Sequence, residues 1–229
     1  MKAKIIYVYD ALCGWCYGFS PVIKSVYERY QDRFDFEVIS GGMMIGSRTG
    51  PVGVVAPYIK TAYHTVEEVT GIVFGEAFLR EVERGEMILD SEKPAIGLAV
   101  FKSYRPDKCV LFAHEIQNCI NFDGREPNDE DSYRLIAANF GIDPDEFIHK
   151  MHEDEFKQAA YYDFALAKQL QVSGYPAAFI QTSDNHFYMI AKGFTRLEDL
   201  EARIEKVWEE IKANDEAKHK KTVPPKAQS

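Results

Sequence analysis

The chain begins with a pattern of hydrophobic residues that predicts a strand, a helix and a second strand. Ile5 to Tyr9 is a continuous apolar run rich in β-branched and aromatic side chains, as in a central strand covered on both faces. Hydrophobic residues then recur every three or four positions from Phe19 to Tyr30, which predicts one face of a helix. The pattern of residues 34–39 predicts another strand. We expect the two strands to be parallel, with a right-handed crossover.

The middle of the chain, residues 52–161, has a helical pattern of hydrophobic positions. Signals for helix starts are a capping-box match at Thr65 and Glu68, Ser91, and the pair Asp143-Pro144. We therefore predict a helical insertion domain over residues 52–161.

A β pattern returns only after Tyr175-Pro176. Residues 177–181 and 186–191 predict a hairpin, and a closing amphipathic helix is predicted to begin at Thr195. The predicted domains are thus a split domain formed by residues 1–51 and 162–213, the insertion at 52–161, and a flexible tail at 214–229.

Composition and charge narrow the class of protein. The chain has 229 residues, of which 46% are hydrophobic, so it can bury a sizeable core. Its 36 acidic and 27 basic residues give a net charge of -9, which argues against nucleic acid and anionic membranes as partners. The apolar run after Met1-Lys2-Ala3-Lys4 stops at Asp10, too early for a secretory leader, and no segment reaches the length of a membrane span. We expect a cytoplasmic protein.

The sequence Cys13-Gly14-Trp15-Cys16 lies where the first strand becomes a helix. This places Cys13 at a helix amino terminus, among unpaired backbone N–H groups that stabilise a thiolate. A second thiol one helical turn away can resolve the mixed disulfide that Cys13 forms. The pair therefore predicts thiol–disulfide exchange, with Cys13 as the exposed nucleophile and Cys16 as the buried resolving cysteine.

Two other interpretations of the pair are a zinc half-site and a merely structural role. Zinc needs two further ligands, and the chain has no second Cys-x-x-Cys, so we predict no metal. The other cysteines, Cys109 and Cys119, lie on one apolar stripe of a predicted helix and are interpreted as core thiols. Ten residues of helix separate their Cα atoms by about 15 Å, too far for a disulfide.

Several motifs together resemble the DsbA-like thioredoxin-fold family over residues 4–212. They are Cys13-Gly14-Trp15-Cys16, Pro21 eight residues after Cys13, the helical insertion, and Gly174-Tyr175-Pro176 before the last hairpin. The segment from Tyr9 to Phe19, with Gly41-Gly42-Met43, is similar to the cytoplasmic, FrnE-like branch of predicted protein-disulfide isomerases. The resemblance implies an α/β chain with a thioredoxin fold interrupted by a long helical insertion.

The resemblance also implies roles for residues. Cys13 would be the nucleophile, Pro176 would follow a cis peptide bond, and Tyr175 would face the cysteines and pair with a substrate peptide. Gly14 and Trp15 would support the site. Expected partners are disulfide-containing proteins or peptides, and a thiol reductant such as glutathione or a thioredoxin-like donor. No tightly bound cofactor is expected, with glutathione as the candidate electron donor.

The chain departs from the family at two positions, Tyr7 and Tyr175. Tyr7 stands where thioredoxin and DsbA have a buried acid. Asp10 is a candidate substitute, and the other interpretation makes it a turn former. Tyr175 is bulkier than the usual Val, Ile or Thr, so it would narrow the site or donate a hydrogen bond to the Cys13 sulfur. Trp15 stands in a dipeptide that lacks the histidine of DsbA, which argues against a strong oxidant.

Two further functions stay open. One is glutathione-dependent transferase or isomerase chemistry on the same scaffold, although those relatives typically carry serine in place of Cys13. The other is a non-catalytic thioredoxin-like module that binds peptides. The sequence leaves the oligomeric state open.

Overall fold

The computed structural model describes residues 2–222. The helices and strands are, in chain order, β1 (Lys4–Tyr9), α1 (Gly14–Tyr30), β2 (Asp35–Ser40), β3 (Gly50–Pro51), α2 (Ala56–Thr70), α3 (Glu76–Arg84), β4 (Ile88–Leu89), α4 (Glu92–Tyr104), α5 (Cys109–Asn121), α6 (Glu130–Asn139), α7 (Pro144–Met151), α8 (Asp154–Gln169), β5 (Ala177–Ser183), β6 (His186–Lys192) and α9 (Leu197–Thr222).

The main sheet has four strands in the order β2-β1-β5-β6. β1 pairs in parallel with β2, starting at Lys4 opposite Asp35, and α1 makes the crossover between them. β5 runs antiparallel to β1 and forms a hairpin with β6. The predicted strand–helix–strand unit and the final hairpin are both confirmed. This topology is the α/β thioredoxin fold with a helical insertion that the sequence predicted.

The side chains of β1 alternate between two apolar layers, as successive residues of a strand must. Ile5, Tyr7 and Tyr9 pack into the larger core together with residues of α1, α4, α5 and α9. Ile6 and Val8 pack on the other side, against apolar residues of α8. Helices thus cover both faces of β1, which explains why its sequence is continuously apolar.

A second, two-stranded antiparallel sheet was not predicted by the sequence pattern; its strand β3 lies just before the predicted insertion and its strand β4 lies inside it. Gly50 pairs with Leu89 and Pro51 pairs with Ile88. Strands of two residues are too short to show a period-two pattern. Around this sheet lies a second apolar cluster to which α1 contributes Tyr17. Its other buried members are Val52, Ala56, Val66, Phe74, Phe78, Val82, Met87 and Leu89.

The predicted helix starts meet different outcomes. Asp143 caps α7, where its carboxylate accepts hydrogen bonds from the backbone N–H groups of Asp145 and Glu146. The prediction at Thr65 was wrong, because Thr65 lies inside α2, which begins at Ala56 with Pro57 in its first turn. Ser91 precedes α4 as predicted, but its hydroxyl does not cap the helix. It bonds instead to a residue of the candidate site, described below.

The last helix differs from its prediction at both ends. It begins at Leu197, and the Thr195 hydroxyl donates to the carbonyl of Gly193 instead of capping. The helix continues to Thr222, past the predicted start of the tail at residue 214, because neither glycine nor proline interrupts residues 214–222. Residues 223–229 lie outside the described part of the chain. The predicted domain boundary between residues 161 and 162 falls within α8.

Candidate active site

Cys13 immediately precedes α1, and Cys16 lies in the first turn of that helix. A tight turn after β1 brings the chain there, since the Cys13 N–H donates to the Asp10 carbonyl at 3.1 Å. The Tyr17 N–H then donates to the Cys13 carbonyl at 2.9 Å, as a first helical hydrogen bond. The local geometry is the one predicted for the pair, at the positive end of the helix dipole.

The two thiols have different environments. Both are free, and Cys13 is 8% exposed whereas Cys16 is fully buried. Hydrogen bonding from the Cys16 side chain, aided by the backbone N–H groups of Cys16 and Trp15, lowers the pKa of Cys13 although burial opposes it. Burial, together with Cys13 beside it, raises the pKa of Cys16 well above its ordinary value. Cys13 therefore loses its proton before Cys16 does. The prediction that Cys13 is exposed was wrong, because Cys13 lies within the wall of a cavity.

Tyr175 lies beside Cys13, as predicted. The Tyr175–Pro176 peptide bond is cis, and the Cys13 thiol donates to the Tyr175 carbonyl at 3.7 Å. The Tyr175 hydroxyl does not reach the sulfur. It donates to the carbonyl of Gly41 at 2.8 Å. Residues that follow β1, follow β2 and precede β5 thus meet at one edge of the sheet.

Asp10 holds this edge together. Its carboxylate is 2% exposed and accepts hydrogen bonds from the Leu12 N–H at 3.0 Å, the Ser91 hydroxyl at 3.0 Å and the Met43 N–H at 2.7 Å. Burial raises the pKa of Asp10 and the three hydrogen bonds oppose that rise. The contacts support the turn-forming interpretation of Asp10, and a role in moving protons stays a prediction.

Tyr7 occupies the place where the resemblance would put a buried acid. Its hydroxyl is buried and has no hydrogen-bond partner among the described residues. Burial above all, and then the charges of Cys16 and Cys13, raises the pKa of Tyr7 well above its ordinary value. The phenol stays protonated at neutral pH, so it cannot take up a proton from Cys16.

An apolar cavity of about 210 Å³ lies next to the cysteine pair. Its lining residues come from the start of α1, from the segment after β2, and from α2, α3, β4 and α5. They are Leu12, Cys13, Gly14, Trp15, Met43, Met44, Val55, Tyr58, Ile59, Ala62, Tyr63, Val66, Phe74, Phe78, Leu89 and Asn121. The motifs singled out in the sequence contribute Leu12, Cys13, Gly14, Trp15 and Met43 to these walls, whereas sequence reasoning missed the contribution of α2.

A family model for the DSBA-like thioredoxin domain matches residues 109–205. This part of the chain is therefore similar to the DSBA-like thioredoxin domain. The matched residues include α5 and the whole of the β5–β6 hairpin, whereas Cys13 and Cys16 lie outside them. No curated protein sequence matches the chain.

Solved structures share this fold over nearly the whole chain. A candidate protein disulfide isomerase from Nitrosomonas europaea is 24% identical, with a TM-score of 0.78, over 92% of this chain and 99% of that one. The cytosolic disulfide reductase DsbM from Pseudomonas aeruginosa is 20% identical, with a TM-score of 0.75, over 90% and 98%. A 2-hydroxychromene-2-carboxylate isomerase is 15% identical, with a TM-score of 0.61, over 90% and 97%. Chains with this fold therefore include both chemistries that the sequence left open.

Cys109 and Cys119 lie apart from the Cys13–Cys16 pair. Both are in α5 and buried, at 1% and 5% exposed. Burial raises the pKa of each to about 11. Their interpretation as core thiols is supported.

Among residues 2–222, no group of three or more His, Cys, Asp or Glu side chains is arranged to hold a metal ion. None of the helices in these residues has both the length and the apolar character of a membrane span.

The lowered pKa of Cys13 predicts how its alkylation depends on pH. Only the thiolate reacts, so the rate with a small alkylating agent should rise with pH around a midpoint lower than that of an ordinary cysteine. Cys16→Ala should move that midpoint upward, because hydrogen bonding from Cys16 is the largest cause of the shift. Mass spectrometry of the proteolytic peptide that contains alkylated Cys13 measures this rate at each pH. A midpoint unchanged by Cys16→Ala would contradict this description.

Tyr7→Phe should leave the free energy of unfolding unchanged or raise it by up to about 1 kcal/mol, because it removes a buried hydroxyl that has no partner. Tyr133→Phe is the matched control. The buried Tyr133 hydroxyl donates to the Pro127 carbonyl at 2.5 Å, so its removal should cost about 1 kcal/mol. Urea unfolding of both variants tests this, and equal losses would show that the Tyr7 hydroxyl has a partner.

Gly41→Ala should displace the Tyr175 ring. A Cβ atom on Gly41 would lie 2.2 Å from the ring carbon Cζ, so the ring must move and its hydrogen bond to the Gly41 carbonyl must break. We expect a stability loss of about 1–3 kcal/mol and altered alkylation of Cys13. Gly174→Ala, next to Tyr175, is the control, since nothing lies within 4 Å of its Cβ position. Equal losses of stability in the two variants would contradict the close packing of the Tyr175 ring against Gly41.

Proposed function

We propose that the chain is a thiol–disulfide oxidoreductase that reduces or reshuffles disulfides in proteins and peptides through Cys13 and Cys16. One observation carries the proposal, namely the asymmetry of two thiols at one helix amino terminus. Cys13 has a lowered pKa and lies beside the Tyr175 carbonyl, whereas Cys16 is fully buried with a raised pKa. That asymmetry suits a nucleophile and a resolving cysteine.

The proposed cycle has two exchange steps. The Cys13 thiolate attacks one sulfur of a substrate disulfide, and the other sulfur leaves as a thiolate that takes a proton from water. Cys16 then gives up its proton and attacks the Cys13 sulfur of the mixed disulfide, which releases the second substrate thiol. The substrate has gained two electrons, and the Cys13–Cys16 disulfide must regain them from a thiol reductant. Two glutathione molecules, oxidised to glutathione disulfide, balance the cycle.

Glutathione is the proposed reductant, and a thioredoxin-like donor is the other candidate. The DsbM of Pseudomonas aeruginosa has also been solved with GSH, with a TM-score of 0.73 and 20% identity to this chain. DsbM is a cytosolic disulfide reductase, and we propose the cytoplasm for this chain as well. The motif around Cys13 supports a place in the FrnE-like branch.

The stoichiometry of glutathione tests the proposal. Reduction of a peptide disulfide should form one glutathione disulfide for each substrate disulfide lost, and Cys13→Ser should abolish it. The double variant Cys109→Ala, Cys119→Ala is the control, because both thiols lie in α5 outside the cavity wall. Isomerase or transferase chemistry is the second candidate, favoured by the likeness to the hydroxychromene carboxylate isomerase. It would form no glutathione disulfide and leave the peptide disulfide intact, and that outcome would reject the proposed reduction; reshuffling, which also forms no net glutathione disulfide, is tested separately by rearrangement of a substrate with two disulfides.

A further inference from the structure

The cavity beside Cys13 is chemically uniform. Its walls contain no Lys, Arg, Asp, Glu or His, and Asn121 is the only residue among them with a side-chain amide. The nitrogen of that amide already donates to the carbonyls of Gln117, at 2.9 Å, and Ala11, at 3.4 Å. A charged occupant would lose hydration there without gaining an oppositely charged partner among the wall side chains. The walls therefore suit an apolar group and offer no cationic side chain to the two carboxylates of glutathione.

The size of the cavity suits one ring. A cavity of about 150 Å³ lined by apolar side chains holds benzene, and this one measures about 210 Å³. The rings of Tyr58, Tyr63, Phe74 and Phe78 are among its walls, so an aromatic occupant meets ring faces and edges. Tyr58 is 68% exposed, which leaves an apolar side chain at the rim with no partner in the described chain.

The position of Cys13 limits what can enter. Cys13 and Trp15 are themselves lining residues. If the sulfur of a substrate reacts with Cys13, a group of that substrate that occupies the cavity must be joined to the sulfur by only a few covalent bonds. The Tyr175 carbonyl oxygen lies 3.7 Å from the Cys13 sulfur. The backbone of a substrate that carried such a group would therefore pass close to this carbonyl. A residue adjacent to a cysteine in a polypeptide satisfies both conditions.

We propose that this cavity binds the aromatic side chain of the residue next to the reacting cysteine in a polypeptide disulfide, and so selects the substrate. The inference rests on the proposed function and adds a substrate class to it. The cavity would favour such substrates because burial of the aromatic ring contributes binding free energy. A substrate with a small or charged residue next to its cysteine would lack that contribution.

A peptide series tests the cavity in the unaltered protein. The substrates are disulfide peptides that differ only in the residue next to the cysteine, which is Phe, Ala or Glu. We expect kcat/KM for the Phe peptide to exceed that for the Ala peptide by on the order of tenfold to a hundredfold, with the Glu peptide lowest. Equal values for Phe and Ala would overturn the proposal while leaving the oxidoreductase function intact. No turnover of any peptide would instead reject the proposed function.

A matched pair of variants on α2 locates the effect. Ala62→Leu extends a side chain into the cavity and should bring the ratio of kcat/KM for the Phe and Ala peptides close to one. Thr61→Leu adds a leucine on the same helix at an exposed position outside the cavity wall, and should keep the ratio of the unaltered protein. If Ala62→Leu keeps the full preference for Phe, the ring binds elsewhere and the proposal fails. If that variant does not fold, the peptide series in the unaltered protein still decides.

Discussion

Cys13→Ser is expected to abolish the reduction of a peptide disulfide, whereas Cys16→Ser should still attack the substrate and then stall. The reason is the difference between the thiols. Cys13 has the lowered pKa and is the one next to the Tyr175 carbonyl, while the buried Cys16 can only resolve what Cys13 has formed. Cys16→Ser should therefore accumulate a mixed disulfide between Cys13 and the substrate peptide.

Mass spectrometry of the non-reduced protein measures this accumulation directly. The adduct should map to the peptide that contains Cys13, and Cys119→Ser should turn over like the unaltered protein, because Cys119 is a core thiol with a pKa raised to about 11. An adduct found on Cys16 of the Cys13→Ser variant would reverse the two assignments.

Asp10→Ala should lower the free energy of unfolding by about 3 kcal/mol or more. The substitution leaves the Leu12 N–H, the Met43 N–H and the Ser91 hydroxyl without their acceptor in a buried place, and each such orphan costs about 1–3 kcal/mol. The turn that presents Cys13 should loosen at the same time. Chemical denaturation measures the loss of stability, and alkylation of Cys13 reports the local change.

Asp143→Ala is the control for Asp10→Ala. Asp143 also accepts from two backbone N–H groups, but at an exposed helix start where water can replace it, so its loss should cost about 1 kcal/mol. Similar losses in the two variants would mean that the Asp10 hydrogen bonds do not hold the site together.

Patterns that repeat over many residues made the main elements predictable. The apolar run of β1, the helical spacing in α1 and the β5–β6 hairpin each extend over six residues or more, so local sequence alone indicates them. The cysteine pair was equally readable, because its chemistry depends on a strand–helix junction visible in the sequence. The cis bond before Pro176 came from resemblance, since spacing alone does not distinguish cis from trans.

The parts that escaped prediction depend on contacts between distant residues. Asp10 bonds to Met43 and Ser91, which lie 33 and 81 positions further along the chain, and no local pattern indicates such partners. The same holds for the Tyr175 hydroxyl and Gly41, 134 positions apart. The cavity walls also include residues of α2 and α3, which only the packing of the chain places beside Cys13.

The redox titration of the Cys13–Cys16 pair tests the central claim most directly. The protein is equilibrated with mixtures of glutathione and glutathione disulfide, and Trp15 fluorescence is followed in a Trp208→Phe background, which leaves Trp15 as the single tryptophan. We predict a single transition in which Trp15 fluorescence falls as the Cys13–Cys16 disulfide forms. Over the same mixtures Cys13 and Cys16 should together stop reacting with an alkylating agent, whereas the reactivity of Cys109 and Cys119 should not change. Fluorescence that stays constant while Cys13 and Cys16 remain free thiols under every mixture would contradict the account.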